Sequence, residues 1–370
     1  MSGAGTIPDA VFQQTLMGFL SPVAKFLADD GVSEVMINGF EEVYIEKAGK
    51  LHLTDARFPS EHALSSAVRN IAQYVGKSVD PERPVLDARL PDGSRVCAIL
   101  PPASRRGISV SIRRFPKERL TVGQLVKYGA MTETLRRFLE LCVLVKKNVM
   151  VAGGTGSGKT SLLNALSSFI PEDERIVVIE DSSEVKLQQP HAVYLEARPP
   201  DAKGRGAVTI RDLLRATLRL RPDRIVVGEC RGGEALDLIQ AMTSGHGGSL
   251  STVHATYPHD TLHRLETLCL MSDVELPLSA MRAQIASAVN VIVQTSRMND
   301  GSRKITHVAE CLGLDEHGHY QLRMLFEFKQ TGVDPKTAKV LGAIHPTGEL
   351  PTFVDEIESR GLALPEEMRA

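Results

Sequence analysis

The part of this sequence that most constrains its fold is a glycine-rich string at residues 153–160, GGTGSGKT. An apolar, strand-like run at 148–152 precedes it, and a leucine-containing helical pattern follows from Lys159 onward. Glycines let a backbone wrap an anion with its N–H groups, and a helix that begins there points the positive end of its dipole at the same anion. The string fits G-x-x-x-x-G-K-[ST] and therefore predicts a strand–loop–helix unit that holds the phosphates of a nucleotide.

The polar residues of the string have expected roles. Lys159 would reach the β- and γ-phosphates, and the Thr160 hydroxyl would hold Mg²⁺. The alternative is a glycine-rich turn that binds nothing, and the strand before the string and the helix after it argue against that alternative. The residues predicted to bind ATP are Gly153, Gly154, Thr155, Gly156, Ser157, Gly158, Lys159, Thr160 and Ser161.

Two further apolar runs, at 176–179 and 225–227, alternate with helical patterns. Such β-branched runs indicate a parallel sheet that is covered on both faces. Glu180 follows the first run and Glu229 lies just after the second. Because the carboxyl ends of parallel strands open at the crevice that holds the phosphates, we expect both carboxylates there. Each would bind Mg²⁺ or orient the attacking water, with an ordinary loop residue as the alternative.

Four arginines are candidates for phosphate contacts. Arg219 and Arg221 come shortly before the second acidic strand end, where a guanidinium could reach a γ-phosphate. Arg113 and Arg114 end an alternating strand in the first part of the chain and could swing onto a nucleotide bound by the second part. For each arginine the alternative is a solvated basic surface.

His254 stands in a segment of small residues, 244–255, that also contains His246. Small residues bring the backbone close to a neighbouring group. A zinc site would need more ligands, and no carboxylate or thiol completes one at short spacing. The density of glycine therefore favours a γ-phosphate sensor, with a structural or surface histidine as the alternative.

The chain is predicted to be an α/β protein with two principal domains. Residues 1–30 have apolar side chains at helical spacing, and residues 31–116 change to a period of two around one amphipathic helix, which predicts an α+β sheet domain. Residues 117–130 read as a linker. Residues 131–370 would form the nucleotide-binding domain, with a mainly parallel sheet and appended strands and a terminal helix at its end.

Composition excludes several classes of protein. The chain has 43 Lys plus Arg against 45 Asp plus Glu, a net charge of −2, which argues against a nucleic-acid coat. Its five cysteines include no C-x-x-C pair and fit a reducing compartment. No apolar stretch approaches 18 residues, so we expect a cytoplasmic protein that meets a membrane through partners.

Four blocks of this sequence, in this order, resemble the secretion ATPases that power type II and type IV secretion and pilus assembly. They are GGTGSGKT at 153–160, RIVVIEDSSEV at 175–185, RPDRIVVGECRGGEALDLIQAMTSGH at 221–246 and GSLSTVHATYPHDTLHRL at 248–265. Three shorter blocks are similar to the tight-adherence pilus ATPases of the CpaF/TadA type, namely VMING at 35–39, LDARLPDGSRV at 86–96 and SIRRF at 111–115.

The resemblance implies a homohexameric ring in which an N-terminal sheet domain and a RecA-like P-loop domain clamp ATP. Glu180 would be the general base, Glu229 the magnesium residue, and the four arginines contacts to the nucleotide. The implied protein is a cytoplasmic, Mg²⁺-dependent ATP hydrolase that docks peripherally on inner-membrane platform proteins and drives pilus assembly, with retraction left open. The alternatives are a type IV or type II secretion motor, a RecA-like DNA translocase and an ATP-gated scaffold. No nucleic-acid partner is expected.

Overall fold

The computed structural model describes residues 15–114, 120–200 and 204–369, and the chain divides into two units, Met1–Glu118 and Arg119–Ala370. Of the helical segment predicted for residues 1–30, residues 15–19 are helical. A 3-10 turn, Ser21–Val23, then leads into the helix Ala24–Ala28. Residues 1–14 of that segment, and residues 115 and 116 at the end of the predicted sheet domain, lie outside the described residues.

The first unit is built on an antiparallel sheet, as the period of two in its sequence predicts. The six strands pair in the order β3-β2-β1-β6-β5-β4, and α2 packs on them through Leu64, Val68 and Ile71. Helix α2 begins where Ser60 Oγ accepts a hydrogen bond from Ala63 N at 3.2 Å. The elements are α1 (Ala24–Ala28), β1 (Val32–Asn38), β2 (Glu42–Lys47), β3 (Lys50–Leu53), α2 (Glu61–Tyr74), β4 (Val85–Arg89), β5 (Arg95–Ile99) and β6 (Ser109–Arg113).

The second unit contains a nine-stranded sheet in the order β15-β14-β13-β12-β7-β11-β10-β8-β9. From β12 to β9 all neighbours are parallel, whereas β12 to β15 form an antiparallel extension. Its elements are α3 (Val122–Lys127), α4 (Glu133–Leu144), β7 (Val149–Gly153), α5 (Lys159–Ser167), β8 (Ile176–Glu180), β9 (Ala192–Glu196), α6 (Ile210–Thr217), β10 (Arg224–Cys230), α7 (Glu234–Thr243), β11 (Leu250–Val253), α8 (Pro258–Leu270), α9 (Leu278–Ala288), β12 (Val291–Arg297), β13 (Arg303–Leu314), β14 (Tyr320–Val333), β15 (Val340–Pro346) and α10 (Val354–Ser359).

The parallel part of this sheet is covered on both faces, as its apolar runs predict. Val149 and Val151 of β7 enter a core with α4 and α5, whereas Met150 and Ala152 enter a second core with α7, α8 and α9. Successive side chains of a strand point to opposite faces, so an unbroken apolar run is what a doubly covered strand requires. The predicted parallel α/β sheet is confirmed.

The linker predicted at 117–130 differs from the structure over residues 120–130, and residues 117–119 lie outside the described residues. Residues 120–130 belong to the second unit, where α3 begins at a capping box made by Thr121 and Gln124. Val122 and Leu125 are buried in the core with α4 and α5. The helix is only six residues long, so it is too short to show a helical period in the sequence.

Within the described part of the chain, no helix combines the length and apolar character needed to cross a bilayer.

Candidate active site

The phosphate loop predicted at 153–160 joins β7 to α5. Gly156 has φ +69°, and Gly158 has φ +96° and lies directly before the first residue of α5. Both are left-handed conformations that favour glycine. Among the described residues no side chain caps the amino end of α5, so the positive end of the helix dipole faces the loop without a side-chain oxygen bound to it. The predicted strand–loop–helix unit is confirmed.

Close packing on one flank fixes the start of the loop. A Cβ on Gly153 would lie 2.4 Å from both Ser157 Oγ and Thr295 Oγ1, so no larger residue fits there. Ser157 Oγ lies 2.8 Å from Gly154 O and 2.9 Å from Thr295 Oγ1. Lys159 Nζ donates to the carbonyl oxygens of Gly153 and Gly154, at 3.1 and 3.2 Å. Lys159 Nζ thus contacts the backbone of the loop in which it is predicted to bind the phosphates.

The sheet order brings several predicted site residues to one edge, called here the carboxyl edge because the parallel strands end at it. Strands β7, β11, β10 and β8 are successive neighbours. The loop follows β7, His254 follows β11, and Glu229 and Glu180 lie at the ends of β10 and β8. His254 is exposed and lines a shallow groove with Asp260 and His263.

Glu180 is almost fully buried, with an exposed fraction of 4%. Its Oε1 accepts hydrogen bonds from the backbone N–H groups of Glu184 and Val185, both at 2.9 Å. Burial raises the pKa of this carboxyl to about 7, because its charged form is poorly solvated. A carboxyl with a pKa near neutrality can accept and release a proton at physiological pH.

Glu229 is bound by an arginine that the sequence patterns did not single out. Arg231 Nη2 lies 2.7 Å from Glu229 Oε2, and its Nη1 lies 3.0 Å from Asp181 Oδ2. Arg231 therefore joins Asp181, which follows β8, to Glu229 near the end of β10. The signal available in the sequence was the spacing of two residues from Glu229, but the contact with Asp181 depends on the pairing of the two strands.

The structure disfavours the predicted role of Arg219 and Arg221 for a nucleotide held by the same chain. Both residues precede β10, whose first residue, Arg224, is paired with Ile176, the first residue of β8. They lie at the amino edge, and because β10 is seven residues long, about 20 Å of strand separates them from the phosphate loop. The sequence placed them near Glu229 because they are close along the chain.

The glycine-rich segment before β11 lies at the same amino edge, so its glycines do not adjoin the phosphate loop. One of them, Gly248, packs against Arg224, which has no exposed surface. The guanidinium donates to Gly248 O at 3.2 Å and to Val143 O at 2.9 Å, and it forms an ion pair with Glu174. Gly248 therefore accommodates a buried ion pair, and the position of the segment at the amino edge argues against interpreting its glycines as part of a γ-phosphate sensor.

We expect Gly248→Ala to lower the free energy of unfolding by about 3 kcal/mol, measured by urea denaturation. Gly248 has φ +82°, and a Cβ there would lie 1.9 Å from Arg224 Nη1. The guanidinium cannot move aside without leaving a buried charge poorly paired. Gly247→Ala is the matched control, since its nearest neighbour would be Lys146 O at 3.4 Å. Equal losses in both variants would contradict this explanation.

The first-unit arginines have different environments. Arg113 is exposed at the end of β6. Arg114 is buried, and its guanidinium donates to the carbonyl oxygens of Asp29 and Val32 and lies 3.4 Å from Asp30 Oδ1. These contacts hold the side chain of Arg114 inside the first unit. A structural role accounts for them without a nucleotide, so the predicted nucleotide contact stays a prediction for Arg113 and is disfavoured for Arg114.

The sequence and the fold both have known relatives. The type II/IV secretion system protein family matches residues 19–323. The type IV secretion system protein PtlH of Bordetella pertussis is 38% identical over 319 residues, which cover 77% of this chain and 91% of PtlH. The type IV secretion system protein VirB11 of Brucella suis is 34% identical over 337 residues, 82% of this chain and 92% of VirB11.

A solved structure of the pilus retraction motor PilT with bound ADP has the same fold. It superposes with a TM-score of 0.54 at 19% identity, over 84% of this chain and 82% of PilT. The match to the family spans both described units. The chain therefore belongs to the type II/IV secretion system protein family.

Proposed function

We propose that this protein is a Mg²⁺-dependent ATPase that powers a secretion or pilus machine of the cell envelope. The observation that carries the proposal is one geometric fact: the phosphate loop opens at the same sheet edge as Glu180 and Glu229. Phosphoryl transfer needs a phosphate cradle, a metal ligand and a group that positions water, and we assign these three roles to the loop, Glu229 and Glu180 at this edge. The kind of machine is inferred from family membership, because the relatives are named as secretion system components.

The residues at this edge fit a magnesium nucleotide. Gly156 and Gly158 provide a backbone cradle with the uncapped amino end of α5 behind it. The Thr160 hydroxyl, in the first turn of α5, and the Glu229 carboxylate are hard oxygen donors, which Mg²⁺ prefers. Bound there, Mg²⁺ would neutralise charge that develops on the phosphate oxygens.

Phosphate binding and proton transfer are then assigned to groups of this chain. Lys159 and the loop N–H groups bind the phosphates and hold them in line. Two backbone N–H groups fix Glu180 through its Oε1, so its Oε2 would accept a proton from the attacking water. Arg231 holds Glu229 at the edge where this carboxylate would bind Mg²⁺.

The raised pKa of Glu180 predicts the pH dependence of turnover. A general base works only when it is deprotonated, so kcat is expected to rise between about pH 6 and about pH 8, with its midpoint at about 7. The measurement is phosphate release at saturating ATP and constant ionic strength. A profile that is flat over this range would contradict a base with a raised pKa, because a carboxyl group that titrates at its ordinary pKa is already deprotonated at pH 6.

The direct test of the proposed activity is phosphate release from ATP by the purified chain, with Mg²⁺ and with Mg²⁺ removed by a chelator. Turnover with Mg²⁺ and none without it supports the proposal, and no turnover in either case would refute it. Adding DNA tests the translocase alternative, since a DNA-stimulated rate would favour that class. The near-neutral charge of the chain favours an unstimulated rate.

For the machine itself we propose a homohexamer that docks at the cytoplasmic side of the inner membrane on platform proteins of a tight-adherence pilus. The blocks at 35–39, 86–96 and 111–115 support this subsystem. The names of PtlH and VirB11 favour a second candidate, a type IV secretion motor. Deleting the gene and imaging the cells by electron microscopy separates the two, because loss of pili supports the first. Intact pili together with a defect in export would support the second.

A further inference from the structure

The hairpin of β12 and β13 packs beside the phosphate loop. Residues 298–302 connect the two strands, so the last residue of β12, Arg297, and the first of β13, Arg303, are directly paired. Both arginine side chains extend towards the glycines of the loop. The antiparallel extension therefore begins in contact with the nucleotide-binding segment, more than 140 residues away along the chain.

Arg303 holds the backbone of the loop. Its Nε donates to the carbonyl oxygen of Gly156 at 2.8 Å. Its Cδ lies 3.2 Å from where a Cβ on Gly158 would be, and Arg297 Nη1 lies 3.4 Å from the corresponding position on Gly156. Two glycines of the loop are therefore covered by arginine side chains from the hairpin.

Thr295, on β12, holds the other flank. Its Oγ1 lies 2.9 Å from Ser157 Oγ and also donates to Ala152 O at 3.1 Å. The hairpin thus contacts the loop at its start through Thr295 and at its middle through Arg303. A glycine-rich segment has high conformational freedom, and fixing it at two points lowers the entropy that nucleotide binding must otherwise remove.

We propose that Arg303 is a positioning residue of the phosphate loop. The C=O and the following N–H of a trans peptide point in opposite directions. Because Arg303 holds the Gly156 carbonyl towards the hairpin, the Ser157 N–H points into the loop, where it now donates to Gly154 O at 3.3 Å. The hydrogen bond therefore selects the orientation of the Gly156–Ser157 peptide in which the Ser157 N–H faces the inside of the loop, where a phosphate oxygen can replace Gly154 O as its acceptor. This inference rests on the proposed ATP-binding function.

The mode of action predicts which nucleotides are affected. Arg303 contacts the loop and does not need to contact the γ-phosphate, so affinity for ATP and for ADP should fall by the same factor when the bond is lost. An arginine that contacts the γ-phosphate directly would affect ATP alone. A loop that binds phosphate less well raises KM, whereas kcat depends on Glu180 and changes little.

Three variants of the full chain separate these roles. Arg303→Met keeps an unbranched side chain over Gly158 but has no donor. Arg303→Gln places an N–H at the same number of bonds from Cα as Arg Nε, without a charge. Arg323→Met is the matched control, because Arg323 lies on β14 of the same extension and its Nη1 donates to Leu350 O at 2.7 Å. Equilibrium binding of fluorescent ATP and ADP analogues, kcat and KM are measured for each, with thermal unfolding as a check on folding.

We expect Arg303→Met to weaken ATP and ADP binding equally, by about three- to tenfold, and to raise KM while kcat changes less than about twofold. Arg303→Gln should recover most of the affinity, and Arg323→Met should bind as the wild type does. Wild-type affinity in Arg303→Met, a loss confined to ATP, or no recovery in Arg303→Gln would each overturn the inference while the proposed function stands. A wild-type chain that binds neither nucleotide would instead refute the proposed function, and this inference with it.

Discussion

Lys159→Ala is expected to reduce ATP turnover by about a thousandfold or more, because a positive charge that stabilises the transferring phosphate is lost. The ammonium already lies on the loop, 3.1 Å from Gly153 O, so it needs only a small movement to meet a phosphate oxygen. The remaining loop N–H groups would still bind phosphate, which means that turnover should suffer more than binding. Phosphate release and equilibrium nucleotide binding, measured on the purified variant, check both statements.

The fold should survive this substitution. Neither hydrophobic core described for the second unit includes Lys159. Circular dichroism and thermal unfolding should therefore match the wild type. Lys339→Ala, which removes an exposed lysine of the antiparallel extension, is the control for the loss of one positive charge. Unaltered turnover in Lys159→Ala would show that the loop at 153–160 is not the site of hydrolysis.

The second large effect is expected for Glu180→Gln, with kcat reduced by about a hundred- to ten-thousandfold and ATP binding retained. An amide cannot accept a proton from water at neutral pH. Its oxygen can still accept the N–H groups of Glu184 and Val185, so the local structure should be kept. The acid limb of the pH profile should disappear together with the turnover.

Glu229→Gln is the variant that distinguishes the two carboxylates. Glu229 is expected to hold Mg²⁺, so its loss should raise the Mg²⁺ concentration needed for half-maximal ATP binding, whereas Glu180→Gln should leave that concentration unchanged. Titrating Mg²⁺ at fixed ATP gives the comparison. If Glu180→Gln kept the wild-type kcat, proton transfer would have to be assigned to Glu229 or to water alone.

Several features of this protein could be predicted from short, contiguous stretches of its sequence. The phosphate loop was predictable because its string, the apolar strand before it and the helix after it are contiguous. The parallel sheet was predictable because a strand covered on both faces must be apolar at every position. Glu180 and Glu229 could be assigned to the carboxyl edge because each lies at the end of such a strand.

The tertiary structure decided which segments that are distant in the sequence contact one another. Arg219 and Arg221 are near Glu229 in sequence, yet the direction of β10 carries them to the opposite edge. Gly248, before β11, packs on Arg224, and Arg303 and Thr295 contact the loop from the hairpin of β12 and β13. Local spacing encodes the period and the ends of each element. The order of strands in a sheet arises from packing between segments far apart in the chain, so only the folded chain reveals those contacts.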